Sequence, residues 1–217
     1  KSKLENPKLL WLIVLAFVLM TLGIVPMARA QQAKRVPRIG YLAAVSPAAD
    51  APRKEAFRQA LKDFGYIEGQ NIFIEFRHED RNFERLPKLA AELIQLKSDI
   101  FVTVTTNAAQ AARSVSKSIP HVFMGVTDPV TAGLVDSLAR PGGNSTGITN
   151  MAAILSGKRL ELLKEIVPKL SRVAVLWDPQ SPGSAPQWED SHVPARQLGL
   201  QLHSMQVSSV DKYEEAF

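Results

Sequence analysis

A chain of 217 residues with 26 basic and 21 acidic side chains, a net charge of +5 and a pI near 9.5 resembles a polyanion binder at first sight. Residues 1–30 hold four of the basic groups and one of the acidic ones, which leaves 22 against 20 and removes the case for a nucleic-acid partner. Cysteine is absent, which excludes disulfides, thiolate metal sites, a cysteine nucleophile and the modified cysteine of a bacterial lipoprotein.

The N-terminus reads as an address. Lys1, Lys3 and Lys8 precede a 17-residue run, Leu9 to Val25, whose only polar residue is Thr21. Gly23 and Pro26 break it, and Ala28-Arg29-Ala30 supplies the small-x-small pattern of a signal-peptidase site. This order predicts a signal peptide over 1–30, cleaved before Gln31, then a polar linker over 31–37. An uncleaved anchor is the competing reading, and the run lies at the short end of what spans a bilayer. The expected product is a free protein of a Gram-negative periplasm. The chain opens on Lys rather than Met, so its start is expected to be incomplete.

Arg38 to Ala44 reads as the first strand, followed by a loop from Val45 to Ala51. Pro52 to Phe64 has helical periodicity, with Phe57, Ala60, Leu61 and Phe64 on one face and Gly65 as the stop. Asn71 to Arg77 alternates at its far end, as a strand near a sheet edge does. Glu84 to Lys97 is amphipathic, with Leu86, Leu89, Ala90, Leu93, Ile94 and Leu96 inward. Ile100 to Val104 reads as a buried strand and Ala108 to Lys117 as an Ala-rich helix.

His121 to Val126 is a β-branched and aromatic run that stops at Asp128-Pro129, where Asp128 reads as a helix N-cap with Pro129 at the first helical position. Val173 to Trp177 repeats the pattern and stops at Asp178-Pro179. Between them, Gly133 to Arg140 reads as a short helix, Asn144 to Thr149 as a strand or crossover, and Leu155 to Val167 as a helix closed by Pro168. A Pro- and Ser-rich loop over 179–186 precedes a helix over 193–198, a strand over 200–207 and a helix begun at Asp211. That last helix reaches Phe217 without a stop signal, so a fragment is expected. Strands alternating with helices predict an α/β protein with parallel sheets covered on both faces, whose ligands bind at the strands' carboxyl ends.

Several motifs occur in one order: Gly40-Tyr41-Leu42, Phe57 to Leu61, Phe64 to Ile72, Asp128-Pro129-Val130, Ser137 to Asn144 and Gly157 to Lys164. Together they resemble the ABC-transporter substrate-binding family that includes tryptophan- and tyrosine-type binding proteins, over nearly all of residues 36–217. The resemblance implies a type I periplasmic-binding-protein fold: two doubly wound lobes joined by a hinge, an N-terminal lobe over 38–147 and the start of a C-terminal lobe over 148–217. It also implies a small-molecule ligand, an amino-acid-like or aromatic carboxylate, delivered to an ABC transporter permease. Membrane contact is expected only through that permease or an uncleaved signal segment. No cofactor is expected, and no nucleic acid. Members of the family run longer than this chain, so the end of the second lobe is expected to be missing.

The ligand chemistry has its own argument. A cleft between two sheets receives the open N-termini of several helices, whose N–H groups and dipoles favour a carboxylate. Thr105, Thr106 and Asn107 stand where the third strand meets its helix; Thr127 and Asp128 hold the equivalent place on the fourth, and Asp128 can pair an amino group. Ser46 lies in the loop after strand one, and Trp177 and Asp178 face them from the second lobe. Each has a plainer reading. Asn107 and Asp128 can be helix caps, Ser46 a turn residue, and Trp177 part of a core. Asp178 departs from the family, which often has Asn before that Pro.

Catalytic readings have less support. Gly143-Asn144-Ser145-Thr146-Gly147 matches the G-x-S-x-G pattern of a hydrolase nucleophile, Ser145, but follows a Pro-Gly-Gly loop rather than a strand. His78, His121, His192 and His203 show no metal-ligand spacing, and His121 reads as a structural histidine. The sequence therefore predicts a binding protein, with a secreted α/β hydrolase and a ligand-binding sensor of the same fold as alternatives.

Overall fold

The computed structural model describes residues 11, 35–80, 82–208 and 212–216, so the predicted signal peptide (Trp11 apart) and its cleavage site lie outside it. Among the described residues no helix is long and apolar enough to cross a membrane. The chain divides between Val36 and Pro37 into two units, and every strand among the described residues belongs to the second.

Five strands form the larger sheet: β1 (Arg38–Ala43), β2 (Phe73–His78), β3 (Ile100–Val104), β4 (His121–Val126) and β5 (Ser145–Thr149). Their order is β2-β1-β3-β4-β5, and every neighbouring pair is parallel. Helix α1 (Pro47–Asp63) follows β1, α2 (Leu86–Gln95) follows β2 and α3 (Thr106–Val115) follows β3. Successive β1 side chains point to opposite faces and join two separate cores. Leu42 packs with Leu86, Leu93 and Ala112 of α2 and α3, while Tyr41 and Ala43 pack with Ile74, Val102 and the Phe57 of α1. Burial on both faces is why these strands read as continuous apolar runs. From β1 the order runs one way to β2 and the other way to β3, so the carboxyl ends of β1 and β3 flank the crevice that such a sheet leaves for a ligand.

A smaller sheet pairs β6 (Arg172–Trp177) with β7 (Gln201–Gln206), again in parallel. Helices α4 (Ser156–Ile166) and α5 (Ala185–Gln197) pack beside it around Leu160, Ala195 and Leu200; α6 (Tyr213–Ala216) follows.

Five local expectations are corrected. The segment after β1 is not a loop to Ala51: the helix starts at Pro47, because Ser46 accepts the Ala49 N–H as a cap and Pro47 stands in the first turn. Asp128 does not cap a helix. Its Oδ1 accepts the N–H groups of Val130 and Thr131 at 3.0 and 3.1 Å, closing a single turn that ends at Gly133 with φ +70°. Residues 133–140 are then turns rather than a helix, since Leu134 and Val135 must turn inward to join Phe123 and Val126 in a core of their own. The helix read over 193–198 begins at Ala185 and carries Pro194 inside it, which had hidden its period. On α1, Phe57 and Leu61 pack on the sheet, but Ala60 and Phe64 are exposed.

Candidate functional site

At the end of β3 the backbone turns sharply. Thr105 has φ +80° and ψ 164°, a region that is essentially reserved for glycine and costs on the order of 1–3 kcal/mol for other residues. Its N–H donates to the Met124 carbonyl at 3.0 Å, but its buried Oγ1 has no hydrogen-bond partner. Thr105 is also the residue before α3, and it makes no side-chain cap bond to that helix. The site thus combines a strained residue, a buried unused hydroxyl and a helix N-terminus without a side-chain cap or an acidic residue in its first turn.

Next to it, Thr106 is buried and its Oγ1 accepts the Thr127 N–H at 3.3 Å, which ties the ends of β3 and β4 together. Thr127 is buried as well. Asp128 is exposed enough to reach solvent: partial burial pushes its pKa up, but the hydrogen bonds from Thr131 and Val130 prevail and hold the carboxyl below the usual range. Asn107 lies beside Gln110 on the wall of a cavity of about 540 Å³, whose other walls include Phe83, Leu86 and the loop residues Gln180 and Ser181. The loop after β6 therefore meets the first turns of α2 and α3 here.

Under the β1 end lies a set that sequence reasoning missed. Asp50, in the first turn of α1, is fully buried; it pairs with Arg53 through Oδ1 and with His78 Nε2, the last residue of β2, through Oδ2 at 3.1 Å. Tyr41 is sealed beside them, and its hydroxyl has no hydrogen bond of normal geometry. Burial first, then the Asp50 charge, push Tyr41 ionisation well above the ordinary phenol range. The Tyr41 ring packs on Phe76 and Phe57 at centroid distances of 5.0 and 5.8 Å. This network pins the first turn of α1, and with it Ser46, over the ends of β1 and β2. The signal available in the sequence was Ser46-Pro47, the same cap-and-proline pair that was read at Asp128-Pro129.

The remaining predicted residues lie on the smaller sheet. Trp177 turns toward its own helix, stacking on Trp188 at 5.6 Å and 8° and donating from Nε1 to Ser204. With Arg159 and Leu160 it lines a different cavity, of about 380 Å³. Asp178 caps a turn, accepting the Gln180 N–H at 2.9 Å.

The alternative nucleophile is placed where it can react with nothing. Ser145 opens β5 and is 2% exposed. Its Oγ meets His121 Nδ1 at 3.2 Å, and His121 Nε2 meets Thr103 Oγ1 at 2.8 Å. Both partners are hydroxyls, which serve a neutral imidazole of either tautomer. Burial, then the nearby Arg113 charge, lower the His121 pKa to about 4. As pH falls below about 6.5 the unfolded chain takes up this proton and the folded one does not, so stability is complete above that pH and lost toward pH 4. By pH 5 the loss from this group should be about 2 kcal/mol. Urea midpoints from pH 7 to 5 should fall more steeply for the wild type than for His121→Asn; parallel profiles would remove His121 as the cause.

Among the described residues no group of three or more His, Cys, Asp or Glu could hold a metal ion. The doubly wound five-stranded sheet and the second parallel sheet have the type I periplasmic-binding-protein fold. Residues 38–217 match the family described as ABC transporter substrate binding protein, and the chain belongs to it. It is 33% identical over 163 residues to a tyrosine-binding protein of Clostridioides difficile strain R20291, in an alignment covering 75% of this chain and 47% of that protein. It is also similar to a conserved domain protein from Vibrio cholerae, with a TM-score of 0.78 and 27% identity over 84% of this chain and 61% of that one. An ABC domain of Streptococcus pneumoniae in complex with L-Trp gives a TM-score of 0.73 and 27% identity over 83% and 60% of the two chains. The chain thus spans about half the length of that curated relative. Members of the family are binding proteins rather than enzymes, typically extracellular or periplasmic.

Proposed function

We propose that this protein is the capture component of an ABC importer, binding a small carboxylate, amino-acid-like or aromatic, between two lobes over residues 38–147 and 148–217. The observation that carries the reading is Thr105, whose strain and unused buried hydroxyl stand at the N-terminus of α3. Backbone strain of this kind persists only where surrounding structure enforces it, and it clusters at ligand sites. In this reading Thr105, Thr106 and Asn107 receive the carboxylate, Asp128 and Thr127 the amino end, Ser46 closes the near wall, and Trp177 and Asp178 contribute from the second lobe. The names of two relatives, one a tyrosine-binding protein and one solved with L-Trp, support the ligand class. The predicted signal peptide supports a periplasmic location, where a permease would take over the ligand.

Calorimetry on the mature protein at its full natural length tests this with L-tyrosine, L-tryptophan, tyramine (no carboxylate) and 3-(4-hydroxyphenyl)propanoate (no amine). Binding of an amino acid with loss of tyramine is the expected result; tyramine binding as tightly as tyrosine, or no binding by any of the four, overturns it. Asp128→Asn keeps an acceptor for the Val130 and Thr131 N–H groups and removes the charge. It should abolish the preference for tyrosine over the amine-free acid, roughly ten- to a hundred-fold for one charged hydrogen bond. Melting temperature should barely move. A preserved preference would leave Asp128 as a turn cap alone.

A further inference from the structure

The loop after β6 comes against the residues that follow β3 and β4 at Gly183. A Cβ there would stand 2.9 Å from Thr127 Oγ1, 3.7 Å from Thr106 Oγ1 and 3.8 Å from Ser181 Oγ. Gly183 is not among the glycines with positive φ, so its backbone conformation is open to any residue. Only the space requires glycine.

We infer that Gly183 is a positioning residue for ligand capture: it sets how closely the second lobe can shut on the first, because its bare backbone seats against Thr127. Neither side of the contact can yield easily. Thr127 is β-branched and stiff at χ1. Its backbone is pinned at both ends, the N–H by Thr106 Oγ1 and the carbonyl by Thr149 Oγ1 at 3.2 Å. On the loop, Asp178 accepts the N–H groups of Gln180 and Ser181, and the Gly183 carbonyl accepts a bond from Gln187 Nε2 at 2.7 Å. The soft coordinate is the separation of the lobes. A side chain at 183 therefore props them apart and reduces the population of the closed state, and apparent affinity falls by the same fraction. The inference rests on the reading of the cleft as the capture site.

Residues 1–217 contain no cysteine, so Lys88→Cys and Glu189→Cys, one exposed position on each lobe, can be spin-labelled once any cysteine elsewhere in the full-length protein is replaced by serine. In the full-length protein, Gly183→Val should lengthen the label-to-label distance without any ligand, and Gly183→Ala should do so less. L-Tyrosine affinity should drop roughly ten-fold or more with the valine, the scale expected of an overpacked contact. In a Thr127→Ala background the lengthening by Gly183→Ala should vanish, since the clashing atom is gone. An unchanged distance, or an equal increment with and without Thr127, overturns the inference. If L-tyrosine fails to bind the wild type, the proposed ligand class falls while the distances still decide the role of Gly183.

Discussion

Asp50→Ala should destabilise the fold by about 3 kcal/mol, the low end for breaking a buried ion pair. The low end applies because Arg53 is 45% exposed and can return to water, whereas His78 at 10% and the sealed Tyr41 hydroxyl cannot. Removing the carboxylate leaves the imidazole without its acceptor and opens a void beneath the first turn of α1. Asp50→Asn keeps the volume and one acceptor, so it should cost clearly less. Urea unfolding at constant slope reads the difference, and for a domain of this size about 3 kcal/mol corresponds to roughly a 6–12 °C fall in Tm. Because the same turn holds Ser46 over the cleft, ligand affinity should weaken in parallel. A loss under about 1 kcal/mol would mean that the network does not pin α1.

Thr105→Gly should separate stability from binding. Glycine adopts φ +80° without strain, which recovers about 1–3 kcal/mol and gives back part of it to the greater freedom of the unfolded chain. The variant should be as stable as the wild type or about 1 kcal/mol more stable. Affinity for a carboxylate ligand should nonetheless fall roughly ten- to a hundred-fold through loss of one hydrogen bond to a charged group. Thr105→Val is the companion: it keeps the branched shape and the strain and deletes only the hydroxyl. Its affinity should fall to the same degree. Wild-type binding by the valine variant would show that the buried Oγ1 is not used on the ligand, and the carboxylate would have to be placed elsewhere.

The strands were the legible part of this fold. Ile100–Val104 is buried on both faces and His121–Val126 alternates buried with half-buried positions, so each is a short apolar run bounded by polar residues, and the structure keeps those limits. The edge position of Phe73–His78 was visible in its alternation, since one side of an edge strand faces less protein. Helix starts were less legible, because a cap-and-proline pair states only that a turn begins. At Ser46-Pro47 seventeen helical residues follow; at Asp128-Pro129 a positive-φ glycine and two core-seeking aliphatics stop the helix after one turn. Thr105 to Asn107 could be placed at the strand end from sequence, but the φ that distinguishes Thr105 has no local signature. The Asp50, His78 and Tyr41 set was invisible for a different reason. Its members come from three elements, and Asp50, read in a loop over 45–51, counts as solvent-facing until the partners that neutralise it are known.

All ladders of the five-stranded sheet close within residues 38–149. A chain emerging into the periplasm can therefore form these ladders once Thr149 has followed, before β6 arrives. Vectorial synthesis lets the half that carries Thr105 and Thr127 harden first, as units that fold N-terminal first do. Residues 150–217 then condense beside ladders already formed. Their fit at Gly183 comes after those ladders, and an error there would leave both sheets folded and the cleft unable to shut.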